Sequence, residues 1–264
     1  MSTRASQHVA GALLTVLAVV GSGSMSSAGA RTLAMIKESG VIRLCAHPNS
    51  LPYASKTAEP PGFQVELGRA LAKQLGVSLT MGWILISYDL PRTDCDIILD
   101  TIADPDAPPD FGIKLSKPYY RSGVALAVPP GSPITSFAAL NGQTKVGVQT
   151  GSLAAMTLDR RGVRISVFGF DDDMLAALAA HEVDAAAVSP ISAGYYNHIH
   201  PDQPVTILPP DAAERDLAWN VAVGLRRPDD ALREAIDAAI DHLSRDGTVE
   251  RIYGRYGVVV QNPR

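Results

Sequence analysis

Apolar positions recur along this chain at two spacings, and the alternation between them sets out its elements. TLAMIKESG, Thr32 to Gly40, predicts a short helix stopped by Gly40. VIRLCA, Val41 to Ala46, reads as a strand, and HPNSLPYASKTAEPP as a loop rich in Pro and small polar residues. Gly62 opens a helix, GFQVELGRALAKQLG, with Phe63, Leu67, Ala70, Leu71 and Leu75 near one face and Gly76 at its end. VSLTMGWILI and CDIILD, Cys95 to Asp100, follow as strands. Strand, helix, strand, strand at this spacing argues for an α/β sheet with crossover connections.

The second half repeats the alternation. YYRSGVALAV, Tyr119 to Val128, is extended until PPGSP breaks it. KVGVQTGS, Lys145 to Ser152, is a strand running into a turn, then SLAAMTLDRRG a helix and Val163 to Phe168 a strand. FDDDMLAALAAHEVDAAAVS is a helix followed by a strand. Asp171 is the expected N-cap, and three acids at the positive end of the helix dipole have a structural explanation. LAWNVAVGLRR is a long strand leading into one terminal helix, DDALREAIDAAIDHLSRDGTVERIYGRYG, with Leu232, Ile236, Ile240 and Leu243 as its buried stripe. The expected organisation is two α/β lobes, 31–128 with 221–264 and 129–220. Extended segments near Val124 to Val128 and Val221 to Leu225 cross between them, and a ligand cleft lies at the hinge.

Composition narrows the classes. Of 264 residues, 46% are hydrophobic and 19% charged, which fits a globular protein and excludes a disordered or collagen-like one. The net charge of −4, without a basic stripe, argues against nucleic acid or an anionic membrane as partner. Residues 1–30 read as a secretory signal peptide. Arg4 and His8 precede the apolar run Val9 to Val20, and small residues end in Ala28-Gly29-Ala30. A twelve-residue helical run reaches about 18 Å, short of the roughly 30 Å hydrocarbon core of a bilayer. An uncleaved anchor is the alternative to a soluble, exported protein. Export permits a disulfide between Cys45 and Cys95. Two separate buried thiols are the alternative, because Cys45 lies late in one strand and Cys95 just before another.

Catalytic signatures are thin. G-x-S-x-G, G-x-x-x-x-G-K-[ST] and a G-x-G-x-x-G after a strand are all missing. His181-Glu182 lacks the second His of H-E-x-x-H. His198 and His200 alternate but lack a third strong ligand, so a solvated loop is expected there rather than zinc. His47 either donates into the cleft or satisfies a loop carbonyl. No cofactor is implied.

GVIRLCAHPNSLPYAS, GFQVELGRALAKQLG, CDIILD, KPYYRSGVALAV, KVGVQTGS, HEVDAAAVS and RIYGRYG occur in that order across residues 32 to 257. In this order they resemble family 3 extracytoplasmic solute-binding proteins, the amino-acid receptors of ABC importers. LCAHPNSLPYAS, the Cys-Asp of CDIILD and KPYYRSG resemble most the branch associated with quinoprotein dehydrogenases. That branch commonly has Asp where His47 stands, and a longer stretch before the Cys-Asp. The resemblance implies a two-lobed type II periplasmic-binding-protein fold with two crossover hinge strands. It implies a monomeric, non-catalytic, periplasmic protein that partners a quinoprotein (PQQ-dependent alcohol) dehydrogenase. The alternative is a receptor that delivers a small non-amino-acid solute to an ABC permease. Some relatives with this fold are dehydratases, but no acid–base pair stands out in this chain.

Amino-acid receptors of the family hold the ligand carboxylate with the Arg of a T-x-x-R stretch, and the ammonium with an Asp after the V-D-A strand. Here those places read TIADPDAPPDFG, without Arg, and Ser189. Losing both anchors removes roughly 3–6 kcal/mol, on the order of 100- to 10,000-fold in affinity. Asp104, Asp106 and Asp110 stand near the missing Arg and would repel a carboxylate if they face the cleft. By the resemblance the cleft, for a small molecule or a peptide, would be lined by His47, Asn49, Tyr53, Phe63, Tyr119, Tyr120, Arg121, Gln149, Thr150, Ser152 and Ser189. Phe63 could equally be core. Arg121 either replaces the missing anchor or forms an ion pair at the lobe surface.

Overall fold

In a computed structural model, residues 31–85, 87–104, 112–210 and 214–263 are described. Residues 1–30, expected to be a signal peptide, and Asp106 and Asp110 lie outside them.

The first sheet comprises β1 (Val41–Ala46), β4 (Ser78–Trp83), β5 (Ile97–Ala103), β6 (Ile113–Gly123) and β12 (Ala218–Arg226), in the order β4-β1-β5-β12-β6. β1 pairs in parallel with β4 and β5, while β12 runs antiparallel to β5 and β6. Between β1 and β4 lie a small hairpin, β2 (Asn49–Ser50) and β3 (Ala54–Ser55), and helix α2 (Phe63–Leu75). α1 (Leu33–Ser39) is closed as its sequence demands. Thr32 accepts from the Met35 amide at 3.2 Å, and Gly40 takes φ +70°. Phe63, Leu67 and Leu71 of α2 meet Ile42, Leu44 and Ile97 of the sheet in one core, and Ala70 sits at its margin. Each fully buried side chain of this size contributes about 1.5–3 kcal/mol.

The second sheet has the order β11-β7-β10-β8-β9, with β7 (Ala125–Val128), β8 (Lys145–Gln149), β9 (Arg164–Phe168), β10 (Ala185–Val188) and β11 (Thr206–Leu208). Helices α3 (Leu153–Arg160), α4 (Asp171–Ala179) and α5 (Pro190–Ile199) belong to this lobe. The sheets divide the chain slightly earlier than its hydrophobicity suggests. Residues 125–128 pair with β10 and β11, and residues 218–220 pair with β6, so the crossings fall at Gly123–Val124 and Leu217–Ala218 rather than at 128 and 220.

Three local expectations are corrected. The stretch with His198 and His200 is not a loop. α5 runs through His198 and ends at His200, started by Ser189 as N-cap and Pro190 at the first turn. That start favours a helix whatever the histidines do. The terminal helix is two helices, α6 (Asp230–Arg245) and α7 (Thr248–Gly254), parted at Gly247, whose φ of +73° suits glycine and breaks the helical path. Asp171 is not the N-cap of α4. Phe170 holds that place without a side-chain bond, and Asp171 begins the helix proper. β11 is a strand of three residues, too short to carry an alternating pattern.

α6 buries Leu232, Ile236, Ile240 and Leu243 against the first lobe, as its period predicts. α7 carries Tyr253 and leads to Tyr256, both fully buried. The Tyr256 hydroxyl accepts from the Gly62 amide at 2.8 Å and donates to Glu66 at 2.7 Å. Tyr256→Phe strands that amide and is expected to cost about 1–3 kcal/mol. Urea denaturation checks this, and a loss under 0.5 kcal/mol would contradict it.

Candidate ligand-binding cleft

The lobes meet at two neighbouring backbones. The Val124 amide donates to the Leu217 carbonyl at 2.8 Å, joining one crossing to the other. Beside this hinge is a cavity of about 280 Å³. Tyr53, Asp100, Tyr120 and Trp219 line it from the first lobe, and Gln149, Ser152, Asp171 and Ser189 from the second. The Tyr53 hydroxyl lies 3.4 Å from the Ser189 hydroxyl, so the lobes touch across the mouth.

Local sequence positions the second-lobe groups. Ser152 and Ser189 are N-caps, accepting from the amides of Ala155 (3.1 Å) and Ile191 (3.2 Å). Each hydroxyl therefore stands at the mouth of its helix, where the first turn faces the cavity. Asp171 lies in the first turn of α4, and burial raises its carboxyl above the ordinary range, with nearby Ser192 countering this in part.

Asp100 dominates the first-lobe wall. It lies on β5 with φ +57°, a left-handed conformation that Asp tolerates better than most residues. The hydroxyls of Tyr119, Tyr120 and Tyr253 each donate to its Oδ1 at 2.9 Å, and Gln64 Nε2 donates to Oδ2 at 2.7 Å. These four partners are all neutral. Burial raises the Asp100 carboxyl, and the hydrogen bonds counter this only in part. Burial and then the Asp100 charge push all three phenols well above their usual range. The Tyr53 phenol is also raised, first by burial, with Asp100 and Asp171 adding to the rise.

The sign of the pH effect follows. The folded chain holds the Asp100 proton at pH values where the unfolded chain, titrating near 4, has released it. Stability from this group is therefore greatest below about pH 4 and declines as pH rises through the raised folded value. Asp100→Asn is expected to be more stable than the parent at pH 8 and to lose part of its pH dependence above pH 4. Urea denaturation of both proteins at pH 4 and pH 8 checks it. Equal slopes against pH would contradict it.

Of the expected site residues, the structure brings Tyr53, Tyr120, Gln149, Ser152 and Ser189 to the cavity. The other six do not line it. The His47 ring accepts from the Asn49 amide at 3.1 Å, and Asn49 itself pairs with Ser55 in the small hairpin. Phe63 is core, stacked on Tyr253 at 4.3 Å between centroids. Tyr119 is buried behind Asp100. The Arg121 amide donates to the Gln261 carbonyl at 2.8 Å, tying down the C-terminal segment. The Thr150 hydroxyl donates to the Phe168 carbonyl at 3.0 Å. Asp104 is exposed. Asp100, Asp171 and Trp219 were missed. Asp100 ends the CDIILD pattern, where an acid reads as a strand boundary, and Asp171 reads as a cap. The expectation of a cleft stripped of both charged anchors is thus corrected in part. Carboxylates are present, contributed by other elements than Ser189's position. Among the described residues that line the cavity, none is Lys, Arg or His.

Cys45 and Cys95 form a disulfide, with Cα atoms 5.5 Å apart. Cys45 faces Gly82 across the β1–β4 pair, and a Cβ at Gly82 would approach the Cys45 sulfur to 2.8 Å. The glycine leaves room for the bridge.

The family model of bacterial extracellular solute-binding proteins, family 3, matches residues 42–259. The membrane-bound lytic murein transglycosylase F of Desulfosudis oleivorans is 27% identical over 246 residues, covering 87% of this chain but only 51% of that protein. The lysine/arginine/ornithine-binding periplasmic protein of Escherichia coli is 26% identical, covering 81% of this chain and 86% of that one. Among solved structures, an ancestral cationic amino acid solute-binding protein superposes with TM-score 0.71 at 20% identity, covering 85% of this chain and 99% of that one. MxaJ from Methlophaga aminisulfidivorans superposes with TM-score 0.67 at 17% identity, covering 83% and 99%. At these identities the structural likeness establishes the fold.

Proposed function

Since the chain belongs to the bacterial extracellular solute-binding proteins, family 3, we propose that it binds a small solute other than an α-amino acid between its lobes, outside the cytoplasm and without catalysis. The observation that carries this reading is the charge of the cavity. Two carboxylates line it, and no Lys, Arg or His does among the described residues. A ligand carboxylate would meet two acidic side chains and no guanidinium, so its desolvation cost of several kcal/mol would go unmet. The leader pattern of residues 1–30 and the Cys45–Cys95 bridge support placement in the periplasm. Titration calorimetry with the twenty common amino acids is expected to show no binding tighter than about 100 μM. Sub-micromolar affinity for any of them would overturn the reading.

A second reading, a partner of a quinoprotein dehydrogenase, is supported by LCAHPNSLPYAS and KPYYRSG and by the fold shared with MxaJ. A pull-down from periplasm probed for a PQQ-dependent dehydrogenase separates the two. Co-purification favours the partner role. Neighbouring genes for a permease and an ATPase favour the receptor.

A further inference from the structure

We infer that the cavity is built for a small organic cation carrying no carboxylate, held by Asp100 and Asp171 and walled by Tyr53, Tyr120 and Trp219. This rests on the solute-binding reading above and names the class of solute.

The first argument is charge balance. Asp100 has four side-chain partners, three phenols and one amide, and none brings a positive charge. Asp171 lines the same cavity, where no Lys, Arg or His stands among the described residues. Hydrogen bonds orient a carboxylate, but they do not neutralise it. A buried carboxylate without a counter-cation is costly, and structures normally meet that cost with a paired charge. Here the protein lines the cavity with two acids and leaves the opposite sign to whatever enters it.

The second argument is the wall. Tyr53, Tyr120 and Trp219 line the same space as the acids. Aromatic side chains attract cations, and they do so most strongly where water is excluded. Tyr53 sits within the electrostatic reach of both Asp100 and Asp171, and its hydroxyl closes on Ser189 of the opposite lobe. A cation in the cavity would therefore meet groups from both lobes, which is what favours a closed state over an open one.

The helix N-termini at the cavity pull the other way, since each presents about half a positive charge. The first turn of α4 already contains Asp171. At α3 and α5 the hydroxyls of Ser152 and Ser189 already accept from the free amides of Ala155 and Ile191. A cation entering beside Asp100 and Asp171 would favour the ionised form of both carboxyls, and two carboxylates would then outweigh what remains. The rejection of carboxylates and the capture of cations have one cause.

The test is calorimetry on matched pairs that differ by a carboxylate: agmatine and arginine, putrescine and ornithine, choline and glycine betaine. Xylitol and glycerol serve as neutral probes. At least one carboxylate-free cation is expected to bind with Kd below about 10 μM, and its partner at least 100-fold more weakly. The amine pairs against the choline pair tell whether an N–H donor or a quaternary ammonium is preferred. Asp171→Asn and Asp100→Asn are each expected to weaken the bound cation at least 10-fold while leaving the thermal transition cooperative. Equal affinity within every pair would overturn the inference, as would cation binding indifferent to both variants. Polyol binding without cation binding would overturn it while leaving the solute-binding reading in place. Silence from every probe would count against both.

Discussion

Replacing Cys45 and Cys95 together by serine is expected to destabilise the folded chain by about 4 kcal/mol. The bridge spans 50 positions of sequence, and constraining an unfolded loop of that size is worth about that much in the chain-entropy model. It joins β1, the parallel partner of both β4 and β5, to Cys95, two residues ahead of β5. The same β5 carries Asp100, at the register shift of its pairing with β12. Loss of the bridge therefore weakens the strand that positions the cavity's principal acid. In a chain of this size about 4 kcal/mol corresponds to a fall of roughly 8–16 °C in Tm. Calorimetric melting of the native, reduced and double-serine proteins checks it. The reduced and double-serine forms should melt together, well below the oxidised form. A difference under about 1 kcal/mol would show that the reduced chain is held in register without the bridge.

Gly123→Ala is expected to cost about 1–3 kcal/mol, the range for forcing an extra carbon into a packed site. A Cβ at this position would press on the Leu217 carbonyl and lie 2.9 Å from the Ala218 Cα. Both are backbone atoms of the other crossing, so no rotamer change relieves the clash. The Val124–Leu217 hydrogen bond, one residue away, would be strained as the crossings part. Because both lobes hang from these crossings, the variant should also open the cleft and separate Tyr53 from Ser189. Small-angle scattering is expected to report a larger radius of gyration, and urea denaturation a lower stability. Gly254→Ala is the control. Nothing stands within 4 Å of its added Cβ, and alanine in a helix is worth about 0.5–1 kcal/mol over glycine. Unchanged stability and dimensions in Gly123→Ala would mean that the crossings separate freely.

Local pattern carried most of the frame. Helix α1 begins at Thr32 and stops at Gly40 because a hydroxyl cap and a left-handed glycine act within a few residues. α6 lies where its apolar stripe requires. Where the pattern failed, the deciding signal was one or two residues: Gly247, which parts α6 from α7, and Ser189-Pro190, which starts α5.

The site was less legible for a different reason. Tyr119 and Tyr120 are adjacent in sequence and both reach Asp100, yet only Tyr120 lines the cavity. Phe63, an aromatic of the expected cleft, is stacked inside the first lobe on Tyr253. Asp171 looks like helix chemistry until the opposite lobe, with Tyr53, is brought over it.

Sequence alone determined two α/β lobes and most of their helices and strands, since each depends on residue type and short-range spacing. Tertiary structure decided that Asp100 is the centre of a three-tyrosine cage and that Asp171 shares its cavity. Those relations join residues from β5, β6, α7 and α4, and the electrostatics of a buried charge depend on what surrounds it in space rather than on what adjoins it along the chain.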